Sequence, residues 1–104
     1  MPLNIGSRAV GEGYDALVIA EIGINHGGDL GGAKEMVRAA HMSGCEGVKH
    51  QTHFVHDEMT PEARYIFPPN ADKSIWDVME ECALSPDEEI LLKNYTEDLG
   101  MIYI

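Results

Sequence analysis

The sequence predicts an α/β fold in which parallel strands alternate with helices. An apolar run of strand length, residues 16–20, is followed by a glycine-rich turn and then by apolar residues at helical spacing. A second short apolar strand begins at Gly47, and a third apolar run, residues 101–104, follows the last predicted helix. Strands separated by helices pair in parallel, because the chain crosses back over the sheet between them.

The first half of the chain contains a leader and one predicted strand–helix–strand unit. Residues 1–15 hold several glycines around a short apolar pair, which is typical of a β-hairpin. The run 16–20 is apolar throughout, so it predicts a strand buried on both faces. Asp29 is suited to the N-cap of the next helix, and Gly44 to its C-terminal end. Residues 47–51 predict the second strand.

The second half begins with a predicted loop over residues 52–72, followed by two helices. Ser74 is expected to cap the first helix, and Ser85, with glutamate three residues later, predicts a capping box on the second. The residues expected to form the buried stripe of the first helix are Ile75, Val78, Met79 and Cys82. Those expected to form the buried stripe of the second are Leu91, Tyr95 and Leu99.

The length of the chain gives an expectation about the whole fold. A (β/α)8 barrel takes about 250 residues, and this sequence has 104. We therefore expect residues 16–104 to be the first two βα units and the third strand of a TIM barrel. Residues 1–15 are expected to form a leader before it.

Composition excludes several classes of partner. The net charge of -11 argues against nucleic acid and anionic membranes, because both require a basic protein surface. The two cysteines have no metal-type spacing, and no apolar run approaches the roughly 20 residues of a membrane helix. The N-terminus has no signal-peptide pattern, so we expect a cytoplasmic protein.

Polar side chains follow the first two predicted strands, at the edge where α/β barrels carry out chemistry. Glu21 follows the first strand, where it could act as a base, position water or bind a hydroxyl group, or else pair structurally with Lys49. Lys49 is suited to clamp an anion. Gln51 lies on the same side of its strand as Lys49, because strand side chains alternate. Asn25, in the glycine-rich turn, is either a ligand-binding residue or a turn-forming one.

Four histidines surround these positions without a recognised metal-ligand spacing. They are His26, His50, His53 and His56. His50 faces away from Lys49 and Gln51, so we expect it to pack against the helices. We predict no metal site within this sequence.

The segment IAEIGINHGGDLGGAKEM, followed by VKHQTH and then by CALS, resembles the sialic acid synthase family. The resemblance runs from about residue 5 to residue 104. It implies a TIM barrel followed by a small antifreeze-like domain, and a homodimer. It also implies condensation of phosphoenolpyruvate with N-acetylmannosamine, assisted by a divalent metal, usually Mn²⁺, whose ligands lie outside this sequence.

The resemblance assigns expected roles to the candidate residues. It implies that Lys49 binds phosphoenolpyruvate, that Glu21 lies beside the reacting aldehyde and that Gln51 helps to hold the amino sugar. VKHQTH and CALS favour N-acetylneuraminate synthases. Two alternatives remain open: a related synthase that uses a diacetamido sugar, and a small α/β module that is not an enzyme.

Overall fold

The structure, a computed structural model, describes residues 1–104 and contains two separate sheets. The strands are β1 (Leu3–Ile5), β2 (Arg8–Val10), β3 (Ile19–Gly23), β4 (Gly47–His50) and β5 (Ile102–Tyr103). The helices are α1 (Leu30–Met42), α2 (Val55–Glu58), α3 (Ile75–Cys82) and α4 (Pro86–Asp98), with a 3-10 helix over Pro61–Tyr65. Strands β3, β4 and β5 pair in parallel in that order, which confirms the predicted α/β class.

The leader forms an antiparallel hairpin of β1 and β2. Gly6 lies in the turn between them with φ +60°, a backbone conformation that glycine adopts without steric cost. The guanidinium of Arg8 donates to the carboxylate of Glu46 at 2.8 Å, just before β4. This contact connects the hairpin to the main sheet at the end where its strands begin.

Strand β3 begins three residues later than the apolar run predicted. Pairing with β4 sets its position, because Ile19 lies opposite Gly47 and Glu21 lies opposite Lys49. Glu21 is therefore inside the strand and does not follow it. The prediction of burial on both faces was also wrong: the side chains of Val18 and Ile19 are 53% and 39% exposed. Ile19 lies on the same face as Glu21, which the helices leave uncovered, and Val18 precedes the strand.

Helices α1 and α4 cover the buried face of the sheet, and both begin as predicted. The Asp29 carboxylate accepts hydrogen bonds from two backbone N–H groups of α1, and Ser85 and Glu88 form the reciprocal capping box of α4. Apolar residues from both helices, from β3 and β4, and from the segments before α4 and β5 meet in one core. Its members are Ile22, Ala33, Val37, Ala40, Val48, Leu84, Leu92 and Met101.

The buried stripe of α4 differs from the predicted one. Leu92 and Thr96 are fully buried, while Leu91 is 50% exposed; Tyr95 and Leu99 are partly buried against the core. One position along a helix turns a side chain by about 100°, so packing against the sheet selected the neighbouring stripe. The hydroxyl of Thr96 is satisfied inside the helix, because it donates to the Leu92 carbonyl at 2.8 Å.

The connection after β4 is folded and is not the long loop that was predicted. It contains α2 and the 3-10 helix, whose residues Val55 and Ala63 pack with Trp76 in a second small core. Trp76, outside the predicted stripe of α3, is its buried residue. The prolines and polar residues of this segment suggested a loop, but a few apolar side chains are enough to pack it against α3.

Candidate functional site

Glu21 and Lys49 lie side by side on the face of the sheet that the helices leave uncovered. Their strands place them directly opposite each other, and Lys49 Nζ is 3.4 Å from Glu21 Oε2. The Glu21 side chain is 52% exposed, and the Lys49 side chain is 54% exposed. An exposed ion pair of this kind contributes only about 0–1 kcal/mol to stability. Either group can therefore exchange its partner for a ligand at little cost.

Gln51 joins this pair through the backbone turn at Gly23. The Gly23 N–H donates to Glu21 Oε1 at 3.1 Å, and the Gln51 N–H donates to the Gly23 carbonyl at 3.3 Å. A Cβ at position 23 would lie 3.7 Å from Glu21 Oε1 and 3.9 Å from Gln51 Nε2, so the carboxylate and the amide flank the same glycine. The Glu21 carboxylate, the Lys49 ammonium and the Gln51 amide thus lie together on the uncovered face, near the carboxyl ends of β3 and β4. This part of the sheet is called its open edge below.

Asn25 is exposed in the turn that follows β3. Its N–H donates to the Ile22 carbonyl at 3.1 Å, which closes the turn. The left-handed conformations of this segment belong to glycines: Gly23, Gly27 and Gly28 have positive φ, and no other residue type does. Asn25 is therefore part of the turn without the left-handed backbone that was considered for it.

His26 and His50 are buried on the opposite side of the sheet, which confirms the predicted orientation of His50. His50 Nε2 lies 3.0 Å from Glu89 Oε1, and the Tyr103 hydroxyl donates to Glu89 Oε2 at 3.1 Å. The two imidazole rings are 5.1 Å apart between centroids. Burial lowers the pKa of His26 and, together with the neighbouring Glu89 carboxylate, raises the pKa of Tyr103 to about 12.

His53 reaches the candidate site, and the sequence interpretation missed this contact. Its Nε2 lies 3.3 Å from Gln51 Oε1, and its Nδ1 lies 2.7 Å from Glu58 Oε1. The missed signal was alternation: residues 49, 51 and 53 share one side of an extended segment. His56 does not take part, since its side chain is 73% exposed and lies 3.7 Å from Glu80.

The described residues do not supply a metal centre. No group of three or more His, Cys, Asp or Glu side chains is arranged to hold an ion. The buried pair is unsuited as well, because His26 Nδ1 accepts from the Gly28 N–H at 3.0 Å. A metal on its other nitrogen would require an imidazolate.

A cavity lies at the other end of the sheet, where the strands begin. It measures about 500 Å³ and is bounded by the hairpin and by the residues that precede β4 and β5. Its charged groups, Arg8 and Glu46, already satisfy each other. In parallel sheets, ligands bind beyond the carboxyl ends of the strands, so Glu21, Lys49 and Gln51 form the better candidate site.

None of the helices has the length and the apolar character that a membrane span requires.

The sequence profile of the NeuB family matches residues 36–104. The chain belongs to the NeuB family. This confirms the relationship to sialic acid synthases that the motifs indicated. Lys49 and Gln51 lie inside the matched range, and Glu21 lies before it.

Individual relatives support the same assignment. The chain is 35% identical to N,N'-diacetyllegionaminic acid synthase of Legionella pneumophila, over 95% of this chain and 29% of that protein. It is 31% identical to human N-acetylneuraminate-9-phosphate synthase, over 99% of this chain and 30% of that protein. The chain therefore spans less than a third of these relatives' length.

A solved structure shows the same fold. The N-acetylneuraminic acid synthetase of Leptospira borgpetersenii superposes with a TM-score of 0.77, at 22% identity. The match covers 99% of this chain and 33% of that one. The α/β arrangement described above is thus the fold of the corresponding part of that protein.

Proposed function

We propose that this chain is the N-terminal part of a sialic acid synthase-type enzyme that joins phosphoenolpyruvate to an N-acylated amino sugar. The observation that carries the proposal is the Glu21, Lys49 and Gln51 cluster on the open edge of the sheet, in a chain of the NeuB family. In this proposal the three parallel strands belong to a TIM barrel, and the open face is the barrel interior.

Lys49 is proposed to bind phosphoenolpyruvate. The substrate carries a phosphate and a carboxylate, and an ammonium group with a weakly held partner is free to bind either one. The methylene carbon of phosphoenolpyruvate bonds to the aldehyde carbon of the open-chain sugar. Water then adds to the second carbon, and the carbon–oxygen bond to phosphate breaks, which releases inorganic phosphate.

Glu21 is proposed to act at the aldehyde or at the attacking water. One of its oxygens is held by the Gly23 N–H, so the carboxylate has a defined orientation beside Lys49. A carboxylate in this position can accept a proton from water or bind the sugar oxygen. Gln51 and Asn25 are proposed to contact the amino sugar. Their side-chain amides supply both hydrogen-bond donors and acceptors.

We propose three further features for the whole enzyme from the resemblance to the sialic acid synthase family. They are a divalent metal, expected to be Mn²⁺, an antifreeze-like C-terminal domain and a homodimer. The metal would polarise the sugar aldehyde.

N-acetylmannosamine is the proposed sugar, and a diacetamido sugar is the second candidate. The motifs VKHQTH and CALS favour the first. The relative from Legionella pneumophila, which is named for a diacetylated product, favours the second. Phosphate release measured with phosphoenolpyruvate and each sugar, in a full-length protein carrying these 104 residues, separates them. Absence of release with every sugar would contradict the enzyme proposal and favour a non-enzymatic module.

Lys49→Ala tests the phosphoenolpyruvate assignment in that protein. Losing one charge-assisted hydrogen bond costs about 1.5–3 kcal/mol, so KM for phosphoenolpyruvate should rise about 10-fold or more. Lys93→Ala is the matched control, because Lys93 pairs with Glu97 at 2.6 Å on α4, away from the open face. An unchanged KM in a folded Lys49→Ala protein would refute the assignment.

A further inference from the structure

The side-chain amide of Gln51 needs a partner if it is to present one defined end to a substrate. Gln51 is exposed and lies just beyond the end of β4. A free glutamine side chain rotates among several rotamers, and binding must then order it at an entropic cost. Its amide can also turn round, which exchanges a carbonyl acceptor for two N–H donors.

His53 supplies such a partner and is itself held in place. Its side chain is only 16% exposed, and its Nδ1 is 2.7 Å from the Glu58 carboxylate at the end of α2. Its Nε2 is 3.3 Å from Gln51 Oε1. The order Glu58, His53, Gln51 thus runs from a helix on the folded connection to the open edge of the sheet.

The contact with His53 gives the amide one direction. Gln51 Oε1 lies toward the imidazole ring, 3.3 Å from His53 Nε2. The NH₂ group of Gln51 is then on the far side, where Gln51 Nε2 approaches the turn at Gly23 beside Glu21.

We propose that His53, held by Glu58, is the positioning residue that directs the NH₂ group of Gln51 toward a carbonyl or hydroxyl oxygen of the amino sugar. The identity of the ligand rests on the function proposed above. The contact between His53 and Gln51 does not. His53 itself need not touch the substrate, since its effect passes through the amide.

Side-chain NMR tests the contact without any assay of activity. Gln51 is the only glutamine among these 104 residues, so labelling this chain with ¹⁵N-glutamine gives a single side-chain NH₂ pair. His53→Phe keeps a ring of similar size and removes both nitrogens. This substitution should change the chemical shifts of the Gln51 NH₂ group and reduce the chemical-shift difference between its two protons. His56→Phe, the matched control on α2, should leave the pair unchanged. Equal spectra for the two variants would overturn the proposal.

Kinetics of a full-length protein carrying these residues tests the role. Removing a neutral-acceptor hydrogen bond should raise KM for the sugar about 3- to 10-fold in His53→Phe and leave KM for phosphoenolpyruvate unchanged. His53→Gln, which keeps a donor, should restore part of the loss. In a Gln51→Ala background, His53→Phe should add nothing further, because the effect passes through Gln51.

The outcomes separate this inference from the proposed function. A wild-type protein without condensation activity refutes the proposed function, and the NMR comparison then decides the contact alone. An active wild type whose His53→Phe variant matches His56→Phe in sugar KM overturns the positioning role. An equal rise in KM for both substrates does the same, because it indicates a general structural effect.

Discussion

The two oxygens of the Glu21 carboxylate have different partners, and this division determines what a substitution tests. Oε1 accepts from the Gly23 N–H, and Oε2 lies beside Lys49 Nζ. In Glu21→Gln the carbonyl can still accept from Gly23, so the local geometry is preserved. The substitution removes the negative charge and the ability to accept a proton.

We expect Glu21→Gln to lower turnover in a full-length protein carrying this sequence about 10²- to 10⁴-fold, since a positioned general base contributes about that much. The measurement is steady-state kinetics with each substrate varied in turn, on protein with an unchanged melting temperature. A small loss that appears mainly in KM for the sugar would contradict proton transfer and indicate positioning. Wild-type kinetics would show a purely structural carboxylate.

At the residue scale, the sequence predicted orientation well and neighbours poorly. Alternation along the strand placed Lys49 and Gln51 on one side and His50 on the other, because that rule depends only on the local backbone. The pairing of Glu21 with Lys49 was only one of the alternatives for Glu21, because it depends on the register of two strands, which the sequence does not specify. The partner of His53, Glu58, lies on a helix that was predicted as loop.

The turn between β3 and α1 approaches α3 so closely that one glycine has no room for a side chain. A Cβ on Gly28 would lie 2.1 Å from the carbonyl oxygen of Glu81, and the residue has φ +84°. Gly27, with φ +64°, has nothing within 4 Å of the same position. The two neighbours therefore share the backbone penalty and differ in the steric one.

Gly27→Ala should destabilise the chain by about 1–2 kcal/mol, the cost of a left-handed alanine. Gly28→Ala should cost roughly twice that or more, because the backbone of α3 or of the turn must also move. Urea unfolding of both variants measures the difference. Equal free energies of unfolding would show that α3 does not pack on this turn in solution.

At the element scale, predictions from local sequence signals were correct, whereas predictions that depend on packing were wrong. All three helix caps were predicted correctly, because Asp29, Ser74 and Ser85 each bind backbone groups within a few residues. The stripe of α4 was missed because Leu91 and Leu92 are equally apolar, and only the position of the sheet distinguishes them. Strand β3 shifted for the same reason, since its limits depend on pairing with β4.

The whole molecule is more extended than a single packed domain of its length. Its radius of gyration is 16.2 Å, against about 13 Å expected for a compact domain of this size. One face of the sheet is packed by α1 and α4, and the other, which carries Glu21 and Lys49, is open. The class of fold could be predicted because each strand and helix has its own pattern. Which face is covered depends on contacts far apart in the sequence.

A buried polar cluster connects four parts of the molecule on its packed side. His26 comes from the turn after β3, His50 from β4, Glu89 from α4 and Tyr103 from β5. Burial and the neighbouring His50 lower the pKa of His26, while Glu89 and Asp29 act in the opposite direction. Burial is also the main cause that raises the pKa of Tyr103 to about 12, followed by the charge of Glu89. The fold thus favours a neutral His26 and a protonated Tyr103.

These two shifts predict loss of stability at both ends of the pH scale. The unfolded chain protonates His26 near its ordinary value of 6.5, whereas the folded chain does so only at lower pH. The contribution of His26 to the free energy of unfolding should therefore be fully present above about pH 6.5. It should be lost as the pH drops through the lowered pKa. Tyr103 ionises in the unfolded chain near 10.0 and in the folded chain near 12, so its contribution is complete below 10.0 and is lost between these values.

Melting temperatures across this range, compared between matched variants, test the cluster. His26→Asn keeps an acceptor for the Gly28 N–H and should reduce the acid loss, because asparagine does not titrate. Tyr103→Phe should reduce the alkaline loss, whereas Tyr65→Phe, at an exposed tyrosine, should leave it unchanged. Acid and alkaline profiles that are the same in all variants would mean that other groups control the pH dependence. A cluster that joins the β3 turn, β4, β5 and α4 would then contribute no proton linkage to folding, despite its burial.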